Sequence, residues 1–301
     1  MPTKIEWAEE TWNPLTGCSP VSDGCRNCYA ERIVKRFPNL HGLKTEVEYL
    51  EPFGRPGFAI SASRIEIRSE RKTFQEIHFH PDRLEKPLRW KKARKIFVCS
   101  MSDLFHEDVT DEQIGAVLFV ISGCSRHTFM ILTKRPERMK TFFEQHNFGA
   151  LQGQALATFG DQIPHELVEE GPALNGVHGA WPLPNLWLGV TAENQFAAER
   201  RIPVLLKIPA AKRFVSVEPM LGQVERTAWA VDWVICGGES GPGARPMQGR
   251  WALSLRDQCR AAGVPFFFKQ WGEFNSAGKR VGKKAAGRLL EGRKHDEWPE
   301  V

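Results

Sequence analysis

The chain has 301 residues, of which 42% are hydrophobic and 26% are charged, and its formal net charge is +5. This composition is typical of a globular protein, and we predict a single domain over residues 1–301. The sequence contains no uncharged apolar run long enough to cross a membrane. The mild positive charge permits a nucleic-acid partner without requiring one.

The first informative element along the chain is a group of three cysteines, Cys18, Cys25 and Cys28, with the spacing C-x6-C-x2-C. The charged opening residues, MPTKIE, contain no apolar signal stretch, so we expect a cytoplasmic chain whose thiols stay reduced. Clustered cysteines in such a chain bind metal or catalyse more often than they form disulfides. Three thiolates on one short loop can hold three irons of a cubane cluster and leave the fourth iron open for chemistry.

A zinc site is the main alternative interpretation of these cysteines, with a residue such as His41 as the fourth ligand of a tetrahedral centre. Zinc sites usually show a second C-x2-C or an H-x3-H pair, and this sequence has neither. The pattern therefore favours an iron–sulfur cluster and leaves zinc as the second choice. The four other cysteines adjoin apolar segments and are predicted to be buried core thiols. They are Cys99, Cys124, Cys236 and Cys259.

Six short apolar runs, rich in β-branched or aromatic residues, predict strands that are buried on both faces, as in a parallel sheet. They are residues 95–99, 127–132, 186–190, 213–217, 233–236 and 265–268. Helical patterns lie between several of them, at residues 111–120, 195–206 and 251–262. This alternation indicates a parallel α/β fold, open or barrel-shaped, and a Rossmann sheet is disfavoured because no G-x-G-x-x-G follows the first strand.

Two regions interrupt the alternation and are predicted to be insertions, at about residues 41–94 and 142–184. The first contains a predicted hairpin formed by residues 65–68 and 74–80, and the second, rich in Gly, Ala, Pro and Gln, suggests a lid. The first also ends in a basic segment that could track a phosphate backbone and stack a base, although a solvated helix end is the commoner explanation. Its candidate residues are Arg89, Trp90, Lys91, Lys92 and Arg94.

Polar or glycine residues follow all six predicted strands, and in parallel α/β folds the ligand site lies at the carboxyl ends of the strands. An ordinary loop or cap role is the better interpretation for any one of them, but six such ends together predict a site. The residues are Ser100, Ser102, Asp103, Thr133, Lys134, Arg135, Thr191, Glu193, Asn194, Glu218, Gly237, Gly238, Glu239, Lys269 and Trp271.

Several motifs carry a resemblance to a known family. They are TWNPLTGC at residues 11–18, CRNCYA at 25–30, SMSDLFH at 100–106, VEPML at 217–221, GGESG at 237–241, FKQWG at 268–272 and GKKAAGR at 282–288. In these motifs the chain resembles the phage three-cysteine-motif proteins, a domain family of unknown function. That family is in turn similar to radical S-adenosylmethionine enzymes, most closely to the spore photoproduct lyase branch, which shares the Cys-Tyr-Ala ending.

The resemblance implies a partial (β/α)6 TIM-like barrel, a [4Fe–4S] cluster on Cys18, Cys25 and Cys28, and S-adenosylmethionine as cofactor. It implies an isomerase- or lyase-type enzyme that forms a 5′-deoxyadenosyl radical and rearranges, modifies or repairs a nucleobase in phage DNA. Its expected partners are DNA or a nucleotide as the substrate and an electron donor for the cluster. Two features depart from the usual pattern, since the first cysteine gap is six residues instead of three and Asn27 replaces the usual aromatic residue. The other hypothesis is a non-enzymatic zinc- or cluster-bound protein that binds nucleic acid.

Barrel position suggests a role for each candidate residue. Ser100 and Ser102 are expected near the methionine end of the cofactor. Thr191, Glu193 and Asn194 are expected near its ribose, and Glu218, Gly237 and Gly238 near adenine or substrate. Further cofactor contacts are Asp103, Thr133 and Glu239, and the catalytic candidates are Lys269 and Glu218. Nucleic-acid contacts at the barrel mouth are Lys134, Arg135, Arg245 and Trp271, beside the basic segment.

Overall fold

The structure, a computed structural model, describes residue 3 and residues 5–37, 73–162, 181–225 and 229–300. Within these residues the chain is mixed α/β, and seven parallel strands form one curled sheet, a half-barrel. The strands pair in the order β1-β4-β5-β6-β7-β8-β9. They are β1 Glu10–Trp12, β4 Lys95–Val98, β5 Thr128–Thr133, β6 Leu186–Thr191, β7 Lys212–Val217, β8 Trp233–Gly237 and β9 Phe266–Gln270.

Helices connect most of the consecutive sheet strands. They are α1 Tyr29–Arg36, α2 Asp111–Gly123, α3 Pro136–Gln145, α4 Phe148–Phe159, α5 Gln195–Leu205, α6 Gly249–Ala261 and α7 Lys283–Ala286. Helix α2 begins at a capping box, in which the Thr110 side chain accepts from the Gln113 backbone and the Gln113 side chain accepts from the Thr110 backbone. No helix among the described residues is both long and apolar enough to cross a membrane.

The six predicted strands and the three predicted helices are confirmed, each with its ends shifted by three residues or fewer. Strand β1 was not predicted, because it has only three residues and the pattern rules need a longer run. It pairs in parallel with β4, placing Glu10 opposite Ile96 and Trp12 opposite Val98. The parallel α/β class predicted from the sequence is therefore confirmed, with one more strand than expected.

The predicted insertions are only partly covered by the structure. Residues 65–68 lie outside the described residues, whereas strand β3, His78–Phe79, pairs antiparallel with β2, Leu15–Thr16. In the second region α3 continues to Gln145 and α4 follows, packed against α2 so closely that a Cβ at Gly115 would lie 3.3 Å from the Leu151 carbonyl oxygen. Residues 163–180 lie outside the described part of the chain.

The inner face of the half-barrel carries an aromatic cluster that is separate from the core between the sheet and the helices. Its buried members are Trp7, Phe97, Met130, Trp187, Phe214, Trp233, Ile235 and Phe267. Gly189 of β6 makes room for this cluster, since a Cβ there would lie 2.5 Å from the ring of Phe214. Trp298 stacks on Trp233 with 4.4 Å between ring centroids. The rings of this cluster therefore fill part of the interior of the half-barrel, and two of them, Trp7 and Phe97, border a cavity.

Candidate functional site

A cavity of about 700 Å³ lies at the carboxyl ends of the sheet strands, where the sequence predicted the ligand site. Its floor is formed by Trp7 and Phe97 of the inner aromatic cluster and by Leu132, which packs against that cluster. Residues at or just after the carboxyl ends of all seven sheet strands contribute to its wall. Its volume falls within the range of about 300–1,000 Å³ that is usual for small-molecule and cofactor sites.

The three clustered cysteines line this same cavity, on a loop that joins β2 to α1. The Cys18 backbone N–H donates to the Phe74 carbonyl at 2.9 Å. Cys25 ends a short 3-10 turn, and the Cys28 N–H donates to the Cys25 carbonyl at 3.1 Å just before α1 begins. All three are free and only partly exposed. Within the described residues, however, no group of three or more His, Cys, Asp and Glu side chains is arranged to hold a metal ion.

One set of contacts ties the cysteine loop to the segment after β8. Asn27 Nδ2 donates to Glu239 Oε2 at 3.0 Å and to the Gly243 carbonyl at 2.8 Å. Arg245 donates to Glu239 Oε1 at 2.7 Å and to the Asp23 carbonyl at 2.8 Å. Burial alone would raise the pKa of Glu239, but the hydrogen bonds from Arg245 and Asn27 lower it. Glu239 therefore braces the loop as a carboxylate.

A second set of contacts ties the loop to the segment after β4. The Tyr29 hydroxyl donates to the Ser100 carbonyl. His106, which is 1% exposed, places Nε2 2.7 Å from Ser19 Oγ. Burial and the Arg135 charge lower the pKa of His106, so this imidazole stays neutral at pH 7. The loop is thus held over the strand ends from two sides.

Arg135, which follows β5, lies beneath the first cysteine. Its Nη1 is 3.7 Å from Cys18 Sγ, and its Nη2 donates to the Ser19 carbonyl at 3.1 Å and to Ser19 Oγ at 2.7 Å. Burial, with the nearby Asp103, raises the pKa of Cys18 to about 12, and Arg135 acts in the opposite direction. From the sequence we predicted that Arg135 contacts nucleic acid at the barrel mouth. In the structure its N–H groups contact the cysteine loop and the carboxylates of Asp103 and Glu107.

Eight of the predicted cofactor residues line the cavity: Ser100, Ser102, Asp103, Thr133, Thr191, Glu218, Gly238 and Glu239. Several are already satisfied within the protein, as Asp103 accepts from Thr133 Oγ1 at 2.7 Å and from the Lys134 N–H at 3.0 Å. Four lining residues carry a buried polar atom that has no hydrogen-bond partner among the described residues: Glu6 Oε2, Trp7 Nε1, Ser102 Oγ and Gln270 Oε1. Because buried polar groups are normally hydrogen-bonded, these atoms mark places where a polar ligand group fits.

Glu193 and Asn194, predicted to lie near the cofactor ribose, are not among the residues that line the cavity, and both contact the protein around it. Glu193 is 1% exposed and lies 2.7 Å from Arg201 Nη1, and a Cβ on Gly24 of the cysteine loop would lie 3.2 Å from its carboxyl carbon. Burial alone would raise the pKa of Glu193, but the nearby Ser22 hydroxyl and the Arg201 charge lower it. Asn194 Oδ1 accepts from the Ala197 N–H at 2.9 Å and caps α5.

The glycine pair at the carboxyl end of β8, Gly237 and Gly238, allows two close approaches within the protein. A Cβ at Gly237 would lie 3.2 Å from Glu218 Oε1, and one at Gly238 would lie 2.0 Å from the Trp271 carbonyl oxygen. Both close approaches are to protein atoms, one in Glu218 and one in Trp271, the residue that follows β9. Gly238 also contributes to the cavity wall.

Glu218 and Lys269, the predicted catalytic pair, form an ion pair on the cavity wall. Lys269 Nζ lies 2.7 Å from Glu218 Oε1, and the two side chains are only 14% and 18% exposed. Lys134 also lines the cavity, with its Nζ 3.5 Å from Thr191 Oγ1. These groups can bind an anionic or hydrogen-bonding substrate group and hold a proton beside it.

The predicted basic segment lies just before the first residue of β4, near the amino ends of the strands. Arg89 pairs with Glu85, Arg94 lies 2.8 Å from Glu10, and the ring of Trp90 lies 6.1 Å from that of His127. Lys91 and Lys92 are exposed. None of these five residues lines the cavity, whereas Arg83 and Lys86, which precede them, do. Lys86 donates to the Thr11 carbonyl at 3.3 Å.

Trp271, predicted to stack a base at the barrel mouth, is a core residue. It is 4% exposed, packs edge-on against Phe268 with ring centroids 5.0 Å apart, and donates its indole N–H to the Leu289 carbonyl at 2.8 Å. With Arg245 bound to Glu239 and Arg135 bound beneath the cysteine loop, Lys134 is the predicted mouth residue that keeps its charge at the cavity without a carboxylate partner among the described residues.

The four remaining cysteines are buried, as predicted. Cys124, Cys236 and Cys259 belong to the main core. Cys99 differs, because it also lines the cavity and has a φ of 57° in the left-handed region. Burial raises its pKa, so it is a neutral thiol.

Several wall residues were not singled out from the sequence: Asn13, Ser216 and Gln270 at strand ends, and Lys86 and Lys283 farther out. Asn13 Oδ1 accepts from Ser100 Oγ and from the Met101 N–H, both at 3.1 Å. The motif at residues 11–18 contained the signal for Asn13, and Gln270 directly follows Lys269 at a strand end. Nothing in the sequence pattern identified Lys86 or Lys283.

The fold and the site define a mixed α/β protein with one cavity at the carboxyl edge of a parallel sheet and a three-cysteine loop folded over it. The chain matches, over residues 2–299, the family described as "Protein of unknown function (DUF5131)", and it belongs to that family. Among curated proteins and among solved structures, none matches this chain.

Proposed function

We propose that this protein is a radical S-adenosylmethionine enzyme of partial TIM-barrel type that carries a [4Fe–4S] cluster and acts on a nucleobase in DNA. One observation carries the proposal: three free thiols on one short loop share a cavity with the polar ends of seven parallel strands. The resemblance to the phage three-cysteine-motif proteins supports the same conclusion. An external electron donor is part of the proposal, because the chemistry begins with a one-electron reduction.

The chemistry of the donor set fits a cubane cluster better than a single ion. Cys18, Cys25 and Cys28 supply three thiolates, which a [4Fe–4S] centre with one open iron requires. The thiols need not converge on one point, since each would bind a different iron. A single zinc ion does need convergent ligands, and the described residues provide no such group. His41, the fourth zinc ligand considered from the sequence, lies outside the described residues.

The cavity also fits S-adenosylmethionine. Ser102 Oγ and Gln270 Oε1 are buried on its wall with no hydrogen-bond partner in the part of the chain that the structure describes, and they can take up the polar groups of the methionine or ribose part. Ser100, Thr191 and Gly238 add a hydroxyl, a second hydroxyl and accessible backbone. A volume of about 700 Å³ leaves room for a substrate group beside a cofactor of this size.

The chain's own residues would position the reacting groups and exclude water. The bound cofactors would supply a one-electron reductive cleavage of the S–C5′ bond of S-adenosylmethionine, which gives methionine and a 5′-deoxyadenosyl radical able to remove a hydrogen atom from an unreactive carbon. Trp7, Phe97 and Leu132 form an apolar floor that shields this step from water. Lys269 and Glu218 would orient the substrate and hold a proton at the Nζ–Oε1 contact.

The substrate we propose is a base within DNA, extruded from its stack to reach the cavity. The support is the positive net charge and the cations that line the cavity, among them Lys86, Lys134 and Lys283. Lys86 Nζ donates to the Thr11 carbonyl and lies 5.4 Å from the centroid of the Trp90 ring, and Lys134 Nζ lies 3.5 Å from Thr191 Oγ1. Neither cation pairs with a carboxylate among the described residues, so both charges remain available to phosphate.

Anaerobic loading with iron and sulfide tests the cluster and separates it from the zinc alternative. The loaded protein is expected to be brown and to retain about four irons per chain after desalting. A colourless protein that retains zinc and rejects iron would instead support a non-enzymatic metal-binding protein.

Salt dependence tests the nucleic-acid substrate. Each phosphate contact makes log K fall with log salt by about 0.9 on duplex DNA and about 0.7 on single strands. Lys86→Gln and Lys134→Gln are each expected to make the slope shallower by about one such contact, as measured by fluorescence anisotropy at several salt concentrations. The matched control is Lys140→Gln, because Lys140 pairs with Glu144 on α3 and should leave the slope unchanged.

Negligible affinity at low salt, or a slope that is flat for the wild type, would remove DNA as the substrate. A free nucleotide or another small molecule would then be the better candidate for the same cavity.

A further inference from the structure

We propose that Arg135 is a positioning residue for Cys18 and that it raises the reduction potential of the cluster, an inference that rests on the proposed iron–sulfur site. Arg135 Nη1 lies 3.7 Å from Cys18 Sγ, within the range of a hydrogen bond to sulfur. The residue is 8% exposed, so water barely competes for this contact. Among the described residues, no other cation is hydrogen-bonded to a sulfur of the three-cysteine loop.

The guanidinium is held in place by partners on two sides. Nε donates to Glu107 Oε2 at 2.6 Å, and Nη1 also contacts Asp103 Oδ2 at 3.5 Å. On the other side Nη2 donates to the carbonyl and the hydroxyl of Ser19, the residue after Cys18. The planar fork therefore connects the segment after β4 with the cysteine loop and fixes where the Cys18 sulfur stands. No donor is left to bind a substrate phosphate.

This contact has an electronic consequence for a bound cluster. An N–H that donates to a ligating thiolate withdraws electron density from it, and hydrogen bonds to sulfur are one of the factors that set cluster potentials. A fixed positive charge nearby also favours the reduced state, which carries one more negative charge, and burial keeps that effect unscreened. Arg135 thus acts on the iron held by Cys18 without contacting the reacting atoms.

Three variants separate this role from a merely structural one. Arg135→Gln removes the charge, and Arg135→Lys keeps the charge but loses the fork. Arg138→Gln is the matched control, because Arg138 lies on α3, which begins directly after Arg135, and binds Asp111 at 2.5 Å and the Val109 carbonyl. Each protein is loaded anaerobically, its folding is checked by circular dichroism, and its iron retention and midpoint potential are measured, the latter by redox titration followed by electron paramagnetic resonance.

We expect Arg135→Gln to hold iron about tenfold more weakly, as is usual when a group next to a metal ligand is removed. Its reduced-to-oxidised ratio at a fixed potential should fall about tenfold, which lowers the midpoint by about 59 mV for one electron. Arg135→Lys should lie between this variant and the wild type, and Arg138→Gln should match the wild type. A loss of stability alone would not shift the midpoint.

A folded Arg135→Gln protein with the iron affinity and midpoint of Arg138→Gln would overturn the inference. Should Arg135→Gln fail to fold, Arg135→Lys decides, since a midpoint equal to the wild type overturns the inference and a lower one supports it. A wild-type chain that takes up no iron overturns the proposed function and this inference together. Normal wild-type loading with unaffected Arg135 variants overturns this inference alone.

Discussion

The Cys25→Ala protein is expected to lose its iron, falling from about four atoms per chain to background after anaerobic loading. Cys25 lies between the two other thiols of the loop, and all three line one cavity. With two thiolates left, the cluster has too few protein ligands to stay bound. The measurement is iron content together with visible absorbance, and Cys18→Ala and Cys28→Ala should behave alike.

A matched cysteine replacement gives the control. Cys124 is 2% exposed, belongs to the main core and lies at the end of α2, away from the cavity wall. Cys124→Ala should therefore keep full iron content even though it loses some core packing. Full iron content in Cys18→Ala, Cys25→Ala or Cys28→Ala would reject the cluster assignment for that residue.

Replacement of Glu193 by alanine is expected to lower the free energy of unfolding by about 3 kcal/mol. The change leaves Arg201, which is 8% exposed, without its carboxylate partner, and an uncompensated buried charge is strongly destabilising. It also removes the carboxylate beneath Gly24, so the cysteine loop loses one support. Urea denaturation at pH 7, compared with the wild type, measures the effect.

The control for this prediction is Glu199→Ala on α5, the helix that carries Arg201, where the exposed carboxylate accepts from Gln195 Nε2 at 2.9 Å. Its expected effect is within about 0.5 kcal/mol. Because the folded-state pKa of Glu193 is lowered, its stabilisation is present above the ordinary value of 4.5 and is lost as pH falls through the folded-state pKa. The difference between wild type and Glu193→Ala should therefore narrow in acid, and a difference that is absent at pH 7 would contradict the assigned role.

Local patterns were sufficient to predict most of the sheet. The near-continuous apolar runs gave six of its strands, because strands buried on both faces need such runs. Strand β1 escaped prediction, since three residues carry no period and its place is decided by pairing with β4, more than 80 positions later. The pairing of β3 with residues 15–16 was not predicted for the same reason, because contacts between distant segments leave no local signal in the sequence.

For the site, the sequence predicted the location better than the individual roles. The rule that ligands bind at the carboxyl ends of parallel strands placed the cavity, and the cysteine spacing marked the loop above it. Whether a strand-end residue faces a ligand or braces that loop depends on contacts across the whole chain. Glu239 is an example, because its partner Asn27 lies 212 positions away. Glu193, Arg245 and Trp271 were predicted to contact a ligand because local sequence does not show these distant contacts. In the structure their polar groups bind Arg201, Glu239 and the Leu289 carbonyl, respectively.

The most direct test of the radical-enzyme proposal is to measure 5′-deoxyadenosine. The wild-type protein is loaded with iron and sulfide under anaerobic conditions, reduced with dithionite and incubated with S-adenosylmethionine, and the products are quantified by liquid chromatography and mass spectrometry. We predict that 5′-deoxyadenosine forms, that it requires the reductant and that it is absent with the Cys25→Ala protein. A fully loaded, reduced protein that binds S-adenosylmethionine and forms no 5′-deoxyadenosine would contradict the proposal.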